Sequence, residues 1–255
     1  MEARNYGAWM WFFIKSLVVA GFIWGIGYWK STKVPENILV SGPLQNEPMQ
    51  TLTNKPVFEM RSKGHTYSIQ PAFEYELWGL VVSEHSADSI KDNVHESWND
   101  YINTKDICVV WGGNVSNPYL AKLNFSHGSF TCYVQTRDSV AWKSFLPDKI
   151  SNNHLIPSTP EIQKLISQSN IGDEIRIKGQ LVNYNVNKGQ YRKTSVNRTD
   201  RDNGACEIIY VTEFETYAKN NKFWNHVSKA GKYLSMAFLI GAMATMLFTA
   251  VFVKN

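Results

Sequence analysis

The chain has 255 residues, with 26 Lys and Arg against 22 Asp and Glu, and a net charge of +4 that is too mild to argue for a nucleic-acid protein. Three cysteines, Cys108, Cys132 and Cys206, fit no CxxC spacing and permit at most one internal bridge. The mean hydropathy of -0.29 reads as soluble only because a polar middle dilutes two apolar ends.

After a short tail (residues 1–7), Ala8 to Trp29 is long enough to span a bilayer, which needs about 20 apolar residues. Lys15 interrupts it, but a lysine near a helix end snorkels its ammonium back to the interface. Trp9, Trp11, Tyr28 and Trp29 stand near the two ends, where amphipathic rings prefer the headgroup level. A cleaved signal peptide fits poorly, because bulky aromatics stand where small residues would mark cleavage. Gly21 and Gly25 form a GxxxG that would let this helix pack closely.

Residues 30–56 carry Pro35, Pro43, Pro48 and Pro56 and read as an extended lead-in, with a short edge strand over Asn37 to Val40. The domain proper, 57–218, is expected to be mainly β. Tyr67 to Ile69, Tyr75 to Val82, Ile107 to Trp111 and Phe130 to Val134 are rich in aromatic and β-branched residues. Asp88 to Tyr101 reads as helix, because Ile90, Val94, Trp98 and Tyr101 repeat on one apolar face. Pro160 to Ser167 is a short helix, with Ser158 or Thr159 as its cap and proline in its first turn. Ile171 to Tyr184 alternates apolar and charged residues, and Cys206 to Phe214 supplies a last strand. The run GDEIRIKGQLVNY resembles strands of OB-like barrels, so the expected fold is a membrane-anchored α+β protein with a small bent sheet or barrel. A juxtamembrane segment, 219–232, leads to Tyr233 to Val253, which has no charge and no proline and predicts a second spanning helix. Ala237, Gly241 and Thr245 give it a small-residue stripe for packing or oligomerisation.

Two spans place both termini on one side of a membrane. Lys30, Lys33, Lys219, Lys222, Lys229 and Lys232 flank the middle and argue for the cytoplasm, but the rule weakens for long domains. The Asn-, Ser-, Thr- and Tyr-rich middle favours the extracytoplasmic side of a bacterial inner membrane.

Three constellations carry candidate chemistry. His85, Asp88, Asp92 and His95, spaced three, four and three, would share a helix face with donors suited to Zn²⁺ or Mn²⁺. The competing reading is a solvated face opposite the apolar stripe. Between the last two strands, Lys188, Arg192, Lys193, Arg198 and Arg201 accompany Tyr184 and Tyr191, a mix that grips anions or a partner, and is otherwise a solvated hairpin tip. Cys108 and Cys132 fall on what read as consecutive strands, and an in-register pair would place them within bridging distance in an oxidising compartment. Cys206 follows an Asn-Gly turn and reads as structural, and Ser151 to His154 reads as hydrogen-bonded loop. No P-loop, HExxH or GxGxxG occurs, and no cofactor is expected. The expected function is a membrane-tethered binding or scaffolding module, with the lipid bilayer, a protein partner or a homo-oligomer through the helices as partners. The alternatives are a membrane-tethered metal-dependent enzyme and a cytoplasmic nucleic-acid module, the latter disfavoured by the charge.

Overall fold

The computed structural model describes residues 2–36, 38, 40, 42–87, 93–199 and 206–252. Two compact units result, one from Met1–Thr32 with Asn221–Asn255 and one from Lys33–Asn220.

The first unit is a helix pair, α1 (Glu2–Ser31) and α5 (Lys222–Phe252). Within them Tyr6–Ser31 and Lys222–Val251 are long and apolar enough to cross a membrane, with mean hydropathies of 1.7 and 2.0. The expected juxtamembrane segment is therefore mostly the first turns of α5. A Cβ on Gly27 would lie 2.5 Å from the Ser228 backbone nitrogen, and one on Gly231 would lie 2.5 Å from that of Trp24. These two glycines let the backbones touch. Gly241 faces the Phe13 ring, and the Thr245 hydroxyl donates to the Gly241 carbonyl one turn back (2.8 Å). Gly21 and Gly25 meet nothing within 4 Å, and Ala237 is exposed. The GxxxG pair lies on another face of α1 from Ala20, Trp24 and Gly27, so the close approach falls to glycines outside the motif.

The second unit is sheet-rich. In chain order come β1 (Met49–Leu52), β2 (Phe58–Ser62), β3 (His65–Ser86), α2 (Asn93–Ser97), β4 (Lys105–Val110), β5 (Asn124–Gly128), β6 (Thr131–Gln135), α3 (Ser139–Ser144), β7 (Ile150–Pro157), α4 (Pro160–Ser167), β8 (Asp173–Val186), β9 (Gln190–Arg192) and β10 (Glu207–Lys219). The expected edge strand at Asn37 to Val40 includes positions outside the described residues. Instead β1, within the proline-rich lead-in, pairs with β3.

Pairings run β3–β4, β4–β7, β7–β10, β10–β8 and β8–β3, a closed ring of five strands. All are antiparallel except β7 with β10. Each ring strand sends alternate side chains inward, as the two-residue period requires. Leu77 and Val81, Ile107 and Val109, Leu155, Ile175 and Ile177, and Ile209 and Val211 are all buried together there. The helix α4 adds Ile166 to that core. Thr159 caps α4 by accepting from the Ile162 amide, with Pro160 in the first turn, as its sequence predicts.

The outer faces of β3, β4 and β7 are covered too. Residues 111–149 form an excursion between β4 and β7 that includes the β5–β6 hairpin and α3, whose Asp138 caps it through the Val140 and Ala141 amides. It buries Leu80, Val82, Val110, Leu123, Phe125 and Phe145 in a second apolar cluster. Every residue of β4 is consequently buried, and so are the six central residues of β7. The polar Ser151 to His154 run is thus a central strand rather than a loop, because the excursion supplies partners for its outward side chains. Of the helix expected over 88–101, Asn93–Ser97 is helical and 88–92 lie outside the described residues.

Candidate functional site

Register places the site. Ser83 pairs with Cys108, and Cys108 with Asn152; one step along, His85 pairs with Asp106, and Asp106 with His154. Because β10 runs parallel to β7, with Ile208 opposite His154, Cys206 arrives beside Asn152 just before its strand begins. The outer barrel face therefore carries a row of Ser83, Cys108, Asn152 and Cys206 across four neighbouring strands and a row of His85, Asp106 and His154 across three. The hairpin lies over them, contributing His127, Phe130 and Cys132, and the segment after β3 adds His95 and Asn103.

At the centre is Asp106, fully buried. Its Oδ1 accepts from His154 Nδ1 at 2.6 Å and from the Asn103 side-chain amide at 2.6 Å, while His95 Nε2 lies 3.7 Å from Oδ2. Cys206 lies opposite Asn152, at the head of the strand beside His154, so its thiol sits next to the Asp106–His154 pair. Burial opposes a charge on His154, but the Asp106 carboxylate overrides it and raises the imidazole to about 10. Burial would likewise raise Asp106, yet the charge and hydrogen bond of His154, with the Asn103 amide, hold it down to about 2. A carboxylate–imidazolium pair is the neutral-pH state of this site.

The surroundings are equally polar. The Asn152 side-chain nitrogen donates to the Phe130 carbonyl at 3.0 Å and lies 3.5 Å from Cys206 Sγ, while the thiol donates to the same carbonyl at 3.4 Å. His127 Nδ1 lies 3.1 Å from the Ser83 hydroxyl, and the His85 ring stacks between those of His95 (6.0 Å) and His127 (6.3 Å). Burial pushes His127 down to about 4, so this imidazole is neutral where His154 is charged. Asp106 Oδ2, His127 Nε2, Asn103 Oδ1 and Asn152 Oδ1 are buried without a hydrogen bond of normal geometry.

Phe130 closes the site from above. Its ring lies 4.0 Å from His95 and 5.5 Å from His154, and the Arg192 guanidinium sits over its outer face at 4.3 Å. The residue adopts φ +65, a left-handed conformation costly for a bulky side chain. The hairpin is fastened by a disulfide between Cys108 of β4 and Cys132 of β6, with Cα atoms 6.0 Å apart. The two strands are not consecutive, since β5 intervenes, and the bridge joins barrel to hairpin.

Of the four expected metal donors, His85 and His95 do come together, whereas Asp88 and Asp92 lie outside the described residues. His85 is on β3 rather than on a helix with His95. Among the described residues no three His, Cys, Asp or Glu side chains are arranged to hold a metal ion. The basic tip disperses. Tyr184 is buried and its hydroxyl donates to Asp100; Arg198 turns inward to pair with buried Glu207 and to donate to the Tyr75 hydroxyl at 3.1 Å. Arg192 covers Phe130 and Trp98, Lys188, Tyr191 and Lys193 are exposed, and Arg201 is outside the described residues. Alternation across Asp106-Ile-Cys108 and Asn152-Asn-His154 was the available signal for the missed site, since each places two polar groups on one strand face. Comparison with family models, curated proteins and solved structures finds no match for this chain.

Proposed function

We propose that the protein is a membrane-anchored thiol enzyme of the acyl-transfer class, with Cys206 as nucleophile. The observation that carries this reading is the buried Asp106–His154 pair, a carboxylate holding an imidazolium on the strand beside the Cys206 thiol. A cation at that place favours attack by sulfur as the thiolate. Sγ bonds to an acyl carbon, His154 passes its proton to the leaving group, and a thioester forms. The acceptor, water or an amine, then gives a proton to His154 as it displaces the sulfur. Asp106 keeps the imidazole oriented and charged between these steps, as the third member of such triads does.

The test is alkylation of Cys206 by iodoacetamide in the full-length protein, followed from pH 5 to 10 in wild type, His154→Gln and Asp106→Asn. Roughly tenfold slower labelling at neutral pH in both variants is expected, a size typical for loss of one activating group. Identical pH profiles in all three proteins would remove Cys206 from the role of activated nucleophile.

The ring order β3-β4-β7-β10-β8, with α4 between its third and fourth strands in chain order, supports an OB-like barrel. The disulfide supports the extracytoplasmic side of a bacterial cytoplasmic membrane, because such bridges persist where thiols are not kept reduced. A cytoplasm-active reporter fused at Asn255 should then be active, and an inactive one would reverse the topology. A second reading, holding a protein partner near the membrane, is favoured by exposed Val140, Trp142 and Leu146 on and beside α3. Loss of a crosslinked partner in Trp142→Ser would support it over catalysis.

A further inference from the structure

The Phe130 carbonyl is held in an unusual way for a hairpin tip. Its oxygen accepts both the Asn152 side-chain amide and the Cys206 thiol, at 3.0 and 3.4 Å. An acyl substrate under attack by Cys206 would bring its carbonyl oxygen to this same place, beside the sulfur and facing an amide donor. We propose, on the basis of the acyl-transfer reading, that the β5–β6 hairpin is a tethered plug which occupies the substrate carbonyl's position, and that reduction of Cys108–Cys132 releases it. Asn152 is then the residue that stabilises the oxyanion once the plug has left.

Three observations converge. The plug blocks access, since the Phe130 carbonyl already takes up the donors of both Asn152 and Cys206. The Phe130 ring covers His154 and His95, and the residue pays for this posture with a left-handed backbone. The disulfide joins the hairpin to the strand that bears Asp106, two residues from that carboxylate, so the bridge pins the plug beside the site it covers. His127, directly opposite Cys132 in the hairpin register, would move with it. Release requires a dithiol. One of its sulfurs attacks the bridge to form a mixed disulfide, and the second displaces the protein thiol. The dithiol ends as a disulfide, and Cys108 and Cys132 end as two thiols.

The experiment uses full-length protein, in which the bridge leaves Cys206 as the one thiol to label. Iodoacetamide labelling at Cys206, read by peptide mass, is compared in oxidised wild type, dithiothreitol-reduced wild type, Cys108→Ser/Cys132→Ser and Phe130→Gly. At least tenfold faster labelling is expected in reduced wild type and in the double variant, and a smaller rise in Phe130→Gly, which removes the ring but leaves the carbonyl in a backbone posture that glycine favours. Equal rates in oxidised and reduced wild type would overturn the plug even if the double variant folds poorly. Labelling His154→Gln after reduction separates the two ideas. Fast labelling that no longer depends on His154 retains a hairpin cover and removes the nucleophile reading. Slow labelling in every opened form, with His154 dependence intact, removes the plug and retains the nucleophile. In reduced protein, Asn152→Ala should leave labelling by this alkylator within about twofold while slowing thioester formation from an activated acyl ester by roughly tenfold or more, as loss of an oxyanion donor does.

Discussion

Leu155 and His154 are neighbours on β7, both buried, and they face opposite ways. Leu155 looks into the barrel among Ile107, Ile175 and Ile209. His154 looks outward to Asp106, with Cys206 at the head of the strand beside it. One face is mainly apolar, gathered from all five ring strands; the other sets a polar site beside an apolar patch at Leu80, Val82 and Val110 and depends on a separate excursion to cover it. The contrast teaches that burial by itself does not mark a core. Here the inner face supplies cohesion, and the barrel strands then serve as a rigid rack on which the outer face positions polar groups such as Asp106 and His154 to within hydrogen-bonding distance.

The contrast breaks first at Asp106. Asp106→Ala leaves a buried imidazolium without its carboxylate and should cost about 3–5 kcal/mol, in the range for removing one partner of a buried pair. Leu155→Ala should cost about 2–5 kcal/mol through the cavity it leaves. Urea unfolding measures both. The distinguishing readout is Cys206 alkylation, whose pH profile should change in Asp106→Ala and stay unchanged in Leu155→Ala. A changed profile in both would mean that the two faces are not separable.

The pH dependence of stability sharpens the same contrast. His154 is raised to about 10, so its contribution is complete below its ordinary 6.5 and is lost as pH climbs through 10. His127 is depressed to about 4, so its contribution is present above 6.5 and is lost as pH falls through 4. Asp106, held down to about 2, withdraws its share only as pH falls from 3.8 through 2. Wild type should be most stable near neutrality, and His154→Gln should lose the alkaline decline while keeping the acid one. An alkaline limb of the same steepness in that variant would assign the decline to other groups. The smallest effect belongs to the exposed tip, where Lys188→Ala with Lys193→Ala should leave both the unfolding midpoint and Cys206 labelling unaltered.

The sequence makes the inner face legible and the outer face nearly opaque. Ile175, Ile177 and Leu181 alternate with charges, and β8 forms there; Thr159 and Pro160 announce α4, and α4 starts at Pro160. Two-residue periodicity is a local property, so it survives without any knowledge of the fold. β7 hides because polar residues stand on both of its faces, Ser151 and Asn153 inward and Asn152 and His154 outward, and those types suit a strand only when it is covered on both sides. Cys206 hides for a different reason. Its imidazole partner lies on a strand 52 residues earlier, brought alongside by a parallel pairing that no local pattern encodes. The His85–His95 proximity was within reach of spacing arguments, but through a strand followed by a short helix rather than along one helical face.

That parallel pairing also sets the timing of the chain's chemistry during synthesis. Cys108 and Cys132 emerge first and can find each other while Cys206 is still unmade, so neighbours in order of appearance pair and the third thiol is left single. Cys206 meets His154 only when β10, the closing strand of the ring, slots between β7 and β8. In a nascent or misfolded chain Cys206 therefore stands apart from His154 and Asp106, and the three residues are brought together as the last act of barrel closure.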